Sequence, residues 1–439
     1  MPQSAGNGII TIVRNSKPAR IPFHYGWVIV VVGTLCIFAC LGLGRFTLGM
    51  LLPFMAASLN LSYAEMGFIS TGNFVGYLFA VLVCGFWAMR VGARKLIFLA
   101  LLLIGCTMIL SGMAQGFRSL LIIYTLTGIG SGAANVPVMA LITSWFTSRM
   151  RGRASGFVVI GSGFAIILSG KLIPFINELY GAEGWRIGWY ILGSMVIIIA
   201  FLAYILLRDR PEEKGLKPIG GAVLISTHPR SHNGGTERSV YKRGILYYLG
   251  AIYFLFGYTY VIYATFIVTT LVKERGVPEA VAGNFWAILG FLSLFSGPVF
   301  GSLSDKLGRK KGFMIVFSLQ TSSYLLIASG LSGIFLYLSI GLYGIVAWSI
   351  PSIMVAAVGD YAGPEKMTKA FGLVTFIFGL GQIAGPAVAG MLAELQGSFA
   401  QSFLMAATFA GLAVILSLFL KRPAQYLLKD DEARRPHEA

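Results

Sequence analysis

GSLSDKLGRKK, residues 301–311, stands 216 residues after GFWAMRVGARK, residues 85–95. Gly85, Gly92 and Lys95 return as Gly301, Gly308 and Lys311. The same displacement carries Ala154, Gly156 and Gly163 onto Ala370, Gly372 and Gly379. One register held over two separated motifs marks a chain made of two similar halves.

Each copy is a polar break between long apolar stretches. The chain is 56% hydrophobic and only 12% charged, too apolar for a water-facing surface around one core. In lipid such stretches must be helices, because each backbone polar group needs a partner within its own segment. Hydropathy predicts spans at 27–56, 65–88, 96–115, 119–146, 155–176, 187–207, 244–271, 282–303, 312–331, 334–358, 370–393 and 400–420. The expected fold is an all-α membrane protein: twelve transmembrane helices in two pseudo-symmetric six-helix bundles, 27–207 and 244–420. A polar linker, 208–243, separates the bundles, with tails at 1–26 and 421–439. The first apolar run is too long for a cleaved leader, so the N-terminal tail is expected to be retained.

Charge gives the orientation. With both termini in the cytoplasm, 28 of the 34 Lys and Arg fall inside, and only Arg118, Arg186, Lys273 and Arg275 outside. Such a bias predicts a multi-pass protein of the cytoplasmic (inner) membrane and makes the net charge of +17 a topology signal. No nucleic-acid partner is therefore expected. Cys36, Cys40, Cys84 and Cys106 lie in apolar spans without metal-ligand spacing, and His24, His228, His232 and His437 lie outside every span. No metal, cofactor or intramembrane histidine relay is predicted, and no arrangement of nucleophile and base suggests an enzyme.

GSLSDKLGRKK resembles the signature loop of the major facilitator superfamily. The resemblance, which in span count and halves covers nearly the whole chain, implies transport by alternating access of a rocking pair of bundles. It also implies a conformational latch made of Gly85, Gly92, Arg94, Gly301, Asp305, Gly308 and Arg309. In this reading Gly301 lets two helices approach closely and Asp305, in one access state, docks near the start of span 5, around Gly152–Gly156. Met89 stands where the first-half acid belongs, so that latch is weakened or replaced. Tyr124 stands where the family often carries an Arg associated with proton coupling. LGRFTLGMLLPFM (43–55), NFVGYL (73–78) and GYTYVIYATF (257–266) are similar to a bacterial branch neighbouring the monocarboxylate and oxalate–formate transporters, although Gly297-Pro298 replaces the Arg-Pro pair expected there.

A charge inside hydrocarbon costs a few kcal/mol or more and is a functional candidate by default. Arg45 and Lys171 are the two such cations, each 18 residues from the inner end of its span, or about 27 Å. Glu65, Glu178, Glu183 and Glu394 all map near outer helix ends. Two cations without a deep acid point to an anion, with Arg45 gripping a carboxylate through two N–H groups; Lys171 either assists or snorkels to water. Uncharged polar candidates for substrate contacts are Asn73, Tyr77, Tyr124, Asn135, Tyr258, Tyr263, Asn284, Trp348 and Gln382, each balanced against an ordinary interhelical hydrogen bond. GIGSGAANVP (128–137) imitates a dinucleotide loop but lies within an apolar span, where close helix packing explains it.

The expectation is a secondary transporter of a small organic anion, a monocarboxylate or related acid. It would work with a coupled proton or an exchanged anion, and with the lipid bilayer as its other partner. Alternatives are an exporter of amphipathic drugs or metabolites, and a non-transporting sensor on the same scaffold.

Overall fold

A computed structural model describes residues 24–220, 243–363 and 366–421. These are nearly all helical; an isolated bridge pairs Phe146 with Ile219. In chain order the helical runs are α1 (Gly26–Leu59), α2 (Tyr63–Val91), α3 (Ala93–Gly112), α4 (Phe117–Trp145), α5 (Ser148–Tyr180) and α6 (Gly184–Leu206). The second half continues with α7 (Gly244–Glu274), α8 (Glu279–Leu307), α9 (Arg309–Ala328), α10 (Ile334–Ala362), α11 (Met367–Gln396) and α12 (Ala400–Phe419). Among the described residues, 11 continuous runs are long and apolar enough to cross a membrane. The longest, Met150–Leu206, contains most of α5 and all of α6 around the short turn Gly181–Glu183. The expected twelve is reached by reading that run as two.

Local chemistry sets the helix ends. Asn60, at φ 53°, terminates α1. Ser62 and Glu65 then start α2 with a reciprocal pair of bonds: the Glu65 N–H donates to Ser62 Oγ at 3.2 Å and the Ser62 N–H to Glu65 Oε2 at 3.0 Å. The repeat read from the sequence is also in the backbone. Gly92 and Gly308 both turn the chain at φ 88°, with ψ 149° and 152°, a conformation that disfavours any side chain.

The halves pack alike. In the first, α2 lies on α4, α3 on α6 and α1 on α5; in the second, α8 lies on α10, α9 on α12 and α7 on α11. Across the middle α2 meets α11 and α5 meets α8, as a pseudo-two-fold axis requires. Phe79, Leu82, Ile198, Ile334 and Phe419 point outward, as lipid-facing residues do. GIGSGAANVP is a helix-packing stretch: a Cβ on Gly128 would lie 2.0 Å from the Asn73 carbonyl oxygen, and one on Gly132 2.7 Å from that of Tyr77.

Among the described residues, the two halves touch on one side. Contacts between them join the first part of α2 to the last part of α11 (Gly67 on Gly390, Thr71 on the Ile383 carbonyl). They also join the last part of α5 to the first part of α8 (Gly170 on Gly283, Gly163 on Gly290). Toward the Gly92 and Gly308 turns the facing helices diverge, and a Cβ on Gly152, Gly156 or Gly372 would meet nothing within 4 Å. The protein is thus open toward the end that the charge bias assigns to the cytoplasm.

The expected latch reads differently here. In this arrangement Asp305 is not at Gly152–Gly156; its carboxylate binds Arg309 one turn on, whose Nε also donates to Asp360 Oδ2 at 2.9 Å. The physical reason is the divergence itself, which removes α5 from reach. Gly301 permits no unusual approach, since its nearest neighbour would be Ser352 Cβ at 3.8 Å, and Gly85 meets nothing. The start of the linker is tied to the first half: the Trp145 indole N–H donates to the Arg208 carbonyl, and the Thr147 N–H to that of Ile219, both at 2.9 Å. The rest of the linker and both tails lie largely outside the described residues.

Candidate substrate cavity

Arg45 is set by a local irregularity. Residues Phe38–Phe46 of α1 form a widened π-type turn, a feature often found at functional sites. Glycines let α1 press against its neighbours: a Cβ on Gly42 would lie 2.2 Å from Ala165 Cβ. Helix α4 takes up two of the carbonyls in this stretch. Ser131 Oγ donates to the Cys40 carbonyl at 2.8 Å and the Tyr124 hydroxyl to the Arg45 carbonyl at 2.9 Å. The backbone is thus held from behind, and the side chain projects between the halves.

The guanidinium lies over the Tyr77 ring at 4.0 Å and the Phe74 ring at 4.6 Å, and is only 8% exposed. Its Nε and Nη2 are buried without a protein acceptor, and among the described residues it forms no ion pair. Glu65 is used in its own helix cap. Magnitudes decide how to read this. Stacking on a ring returns about 0.5–2 kcal/mol, whereas each buried unsatisfied donor costs about 1–3 kcal/mol, more when charged. Ring stacking alone leaves the arginine under-compensated.

Around the arginine lie further unpaired groups. Trp348 Nε1 is a buried donor without a partner, and Asn73 Oδ1 and Asn135 Oδ1 are buried acceptors without one. The other ends of these amides are fixed: Asn73 Nδ2 donates to the Tyr124 carbonyl at 3.2 Å, and Asn135 Nδ2 to the Tyr77 hydroxyl at 2.8 Å. From the second half, Tyr260 lines the same cavity as Arg45, and its hydroxyl accepts a bond from Gln382 Nε2. Trp348 packs on Phe46 at 4.9 Å and edge-on to Tyr260 at 5.8 Å. The cavity beside Arg45, lined also by Phe46, Asn73, Phe74, Tyr124 and Tyr260, is small, about 10 Å³, room for one water. On the side remote from the Gly92 and Gly308 turns it is shut by Gly49 against the Ala264 carbonyl and by Ser70 Oγ at 3.3 Å from Thr265 Oγ1.

The structure therefore brings together Arg45, Asn73, Tyr77, Tyr124, Asn135, Trp348 and Gln382. It separates four others. Tyr258 turns toward α12, with its hydroxyl 3.4 Å from the Met405 sulfur, and Tyr263 stacks on Tyr343 at 4.1 Å inside the second half. Lys171 binds Asn284 at the α5–α8 seam, away from the cavity lining. Lys171 is thus no helper of Arg45, because its face of α5 turns outward. Sequence reasoning missed Tyr260, Ser70 and Thr265. Tyr260 and Thr265 lay in the quoted 257–266 stretch, with nothing to distinguish the inward face.

The latch residues resolve differently in the two halves. Met89 is 81% exposed. The missing first-half acid is supplied from outside the motif: Asp209 Oδ1 accepts from the Arg94 N–H at 2.7 Å, capping the start of α3. Arg94 itself donates from Nε to the Tyr204 carbonyl at 2.6 Å. In the second half Asp360 instead pairs with the Arg309 side chain. Neither acid was singled out in the sequence.

Residues 37–418 match the family model described as "Uncharacterised MFS-type transporter YbfB". A hexuronate transporter of Bacillus subtilis (strain 168) is 26% identical over 399 residues, covering 85% of this chain and 90% of its own. Monocarboxylate transporter 2 of Mesocricetus auratus is 26% identical over 448 residues, covering 95% and 88%. Among solved structures, a bacterial homolog of the human lysosomal transporter Spinster, inward-facing and unoccupied, superposes with a TM-score of 0.73 at 17% identity, covering 95% of this chain and 99% of that one.

Proposed function

The chain belongs to the family of MFS-type transporters, and from that premise we propose that it carries a small organic acid across the cytoplasmic membrane, binding its carboxylate at Arg45. The observation that carries this reading is the buried guanidinium with two N–H groups and no protein acceptor. The names of the hexuronate and monocarboxylate relatives point to the same chemistry. Unpaired donors (Arg45, Trp348) and acceptors (Asn73, Asn135) in this region between the halves suit a carboxylate that also bears hydroxyl groups.

Transport proceeds by rocking of the halves. Substrate enters from the open, cytoplasm-facing side, and the water-sized cavity at Arg45 widens to admit it. Switching breaks the contacts at the far end, among them Trp286 Nε1 to Ser169 Oγ at 3.1 Å and Asn177 Nδ2 to Glu279 Oε2 at 3.3 Å. Asp305 then reaches the start of α5, where it serves as the latch. Among the described residues no carboxylate or histidine lines the cavity. The reading is therefore anion exchange, or cotransport in which the substrate brings the proton itself.

Counterflow in proteoliposomes with a panel of hydroxylated and plain carboxylates, against lipophilic cations, tests this. Carboxylates should drive exchange, and Arg45→Gln should reduce it at least about 100-fold, the loss of a charge-assisted bidentate contact. Unchanged exchange in Arg45→Gln would remove the anchor.

A further inference from the structure

The second intramembrane cation has a site of its own. Lys171 and Asn284 join across the seam between α5 of the first half and α8 of the second, and head a lipid-facing groove of about 570 Å³. Lys171 lies nine residues from the end of α5, about 13 Å along the axis. The groove is polar at one level and apolar below it. Ile167 lies one turn deeper than Lys171, Ile288 one turn deeper than Asn284, and Phe291 nearly two. Ile288 and Phe291 are exposed, as is Tyr337 near the outer start of α10. Among the described residues, Lys171 has no carboxylate partner.

We propose that this groove holds an acidic phospholipid of the outer leaflet. Its phosphate lies at Lys171 and Asn284, and an acyl chain runs inward along Ile167, Ile288 and Phe291. The charge and its depth select the occupant. A cation just inside the hydrocarbon boundary, above an apolar strip, matches an anionic headgroup above its chain, whereas a small hydrophilic acid leaves the strip uncovered. Because the groove is made by both halves beside the Gly170–Gly283 contact, a bound lipid favours the far-end-closed arrangement.

Native mass spectrometry of the purified protein, titrated with phosphatidylglycerol and phosphatidylcholine of equal chain length, tests the site. Wild type should retain phosphatidylglycerol about fivefold better, the worth of one membrane-surface cation. Lys171→Gln should lose that preference and Lys171→Arg keep it, and Ile288→Glu should lower retention by repulsion. Arg45→Gln should retain lipid as wild type does, which separates this site from the transport reading. Equal binding of the two lipids by wild type would overturn the proposal. So would a preference that survives in Lys171→Gln, or displacement of the lipid by a free short-chain carboxylate.

Discussion

The Tyr124 hydroxyl donates a 2.9 Å hydrogen bond to the carbonyl oxygen of Arg45, tying α4 to the residue whose guanidinium is buried between the halves. Both groups are buried, and the bond fixes the widened turn that aims the guanidinium. Tyr124→Phe leaves that carbonyl without its donor and should cost about 1–3 kcal/mol of stability. Denaturation in detergent measures the loss. Transport should fall as well, since the anchor is less well fixed; a variant as stable and as active as wild type would contradict this account.

Gly128 sits where α2 and α4 cross, with no room for a methyl group. Gly128→Ala should force the helices apart at a cost of about 1–3 kcal/mol or more, lowering the yield of monodisperse protein. Gly411→Ala is the control, because a Cβ there meets nothing within 4 Å; that variant should be neutral or slightly stabilised through helix propensity.

Glu394 of the second half accepts from the N–H groups of Tyr63, at 2.7 Å, and Ala64, at 3.3 Å, at the start of α2 in the first half. This is a carboxylate at a helix N-terminus, joining the halves on the side where they touch. Glu394→Ala should shift the protein toward opening there. Spin labels at Glu178 and Gln396, both exposed at that end, should show a longer distance population than the parent pair. An unchanged distribution would mean that apolar packing alone holds the far side shut.

Asp305 and Asp360 share Arg309 unequally: the Asp305 side chain is 64% exposed and that of Asp360 17%. Asp305→Asn should cost under about 1 kcal/mol, as exposed pairs do. Asp360→Asn should cost more, because it strips the half-buried partner of Arg309. If Asp305 latches onto α5 in the opposite state, Asp305→Asn should nevertheless alter the transport rate markedly. Wild-type rates in that variant would reduce Asp305 to a surface ion pair.

The parts legible in advance were those carried by short stretches of chain. Helical spans, the duplicated Gly92 and Gly308 turns and the presence of an arginine in hydrocarbon all follow from local composition. Which tyrosine of α7 faces the cavity did not. Residues Leu255–Leu271 of that helix are buried on every side, so no apolar stripe marks an inward face, and Tyr258, Tyr260 and Tyr263 look alike in sequence. Asp209 and Asp360 were hidden for another reason. Each meets its partner from a different segment, 115 residues away for Arg94 and 51 for Arg309.

By itself the sequence determined a helical, lipid-embedded chain in two related halves, because satisfying backbone polar groups in a bilayer is a demand on each segment separately. Only the tertiary structure decided that Arg45 and Lys171 serve different surfaces, one between the halves and one toward lipid. That choice depends on the rotation of each helix about its axis. Rotation is fixed by glycine contacts between distant segments, such as Gly42 on Ala165 and Gly170 on Gly283, and no local pattern of residues encodes it.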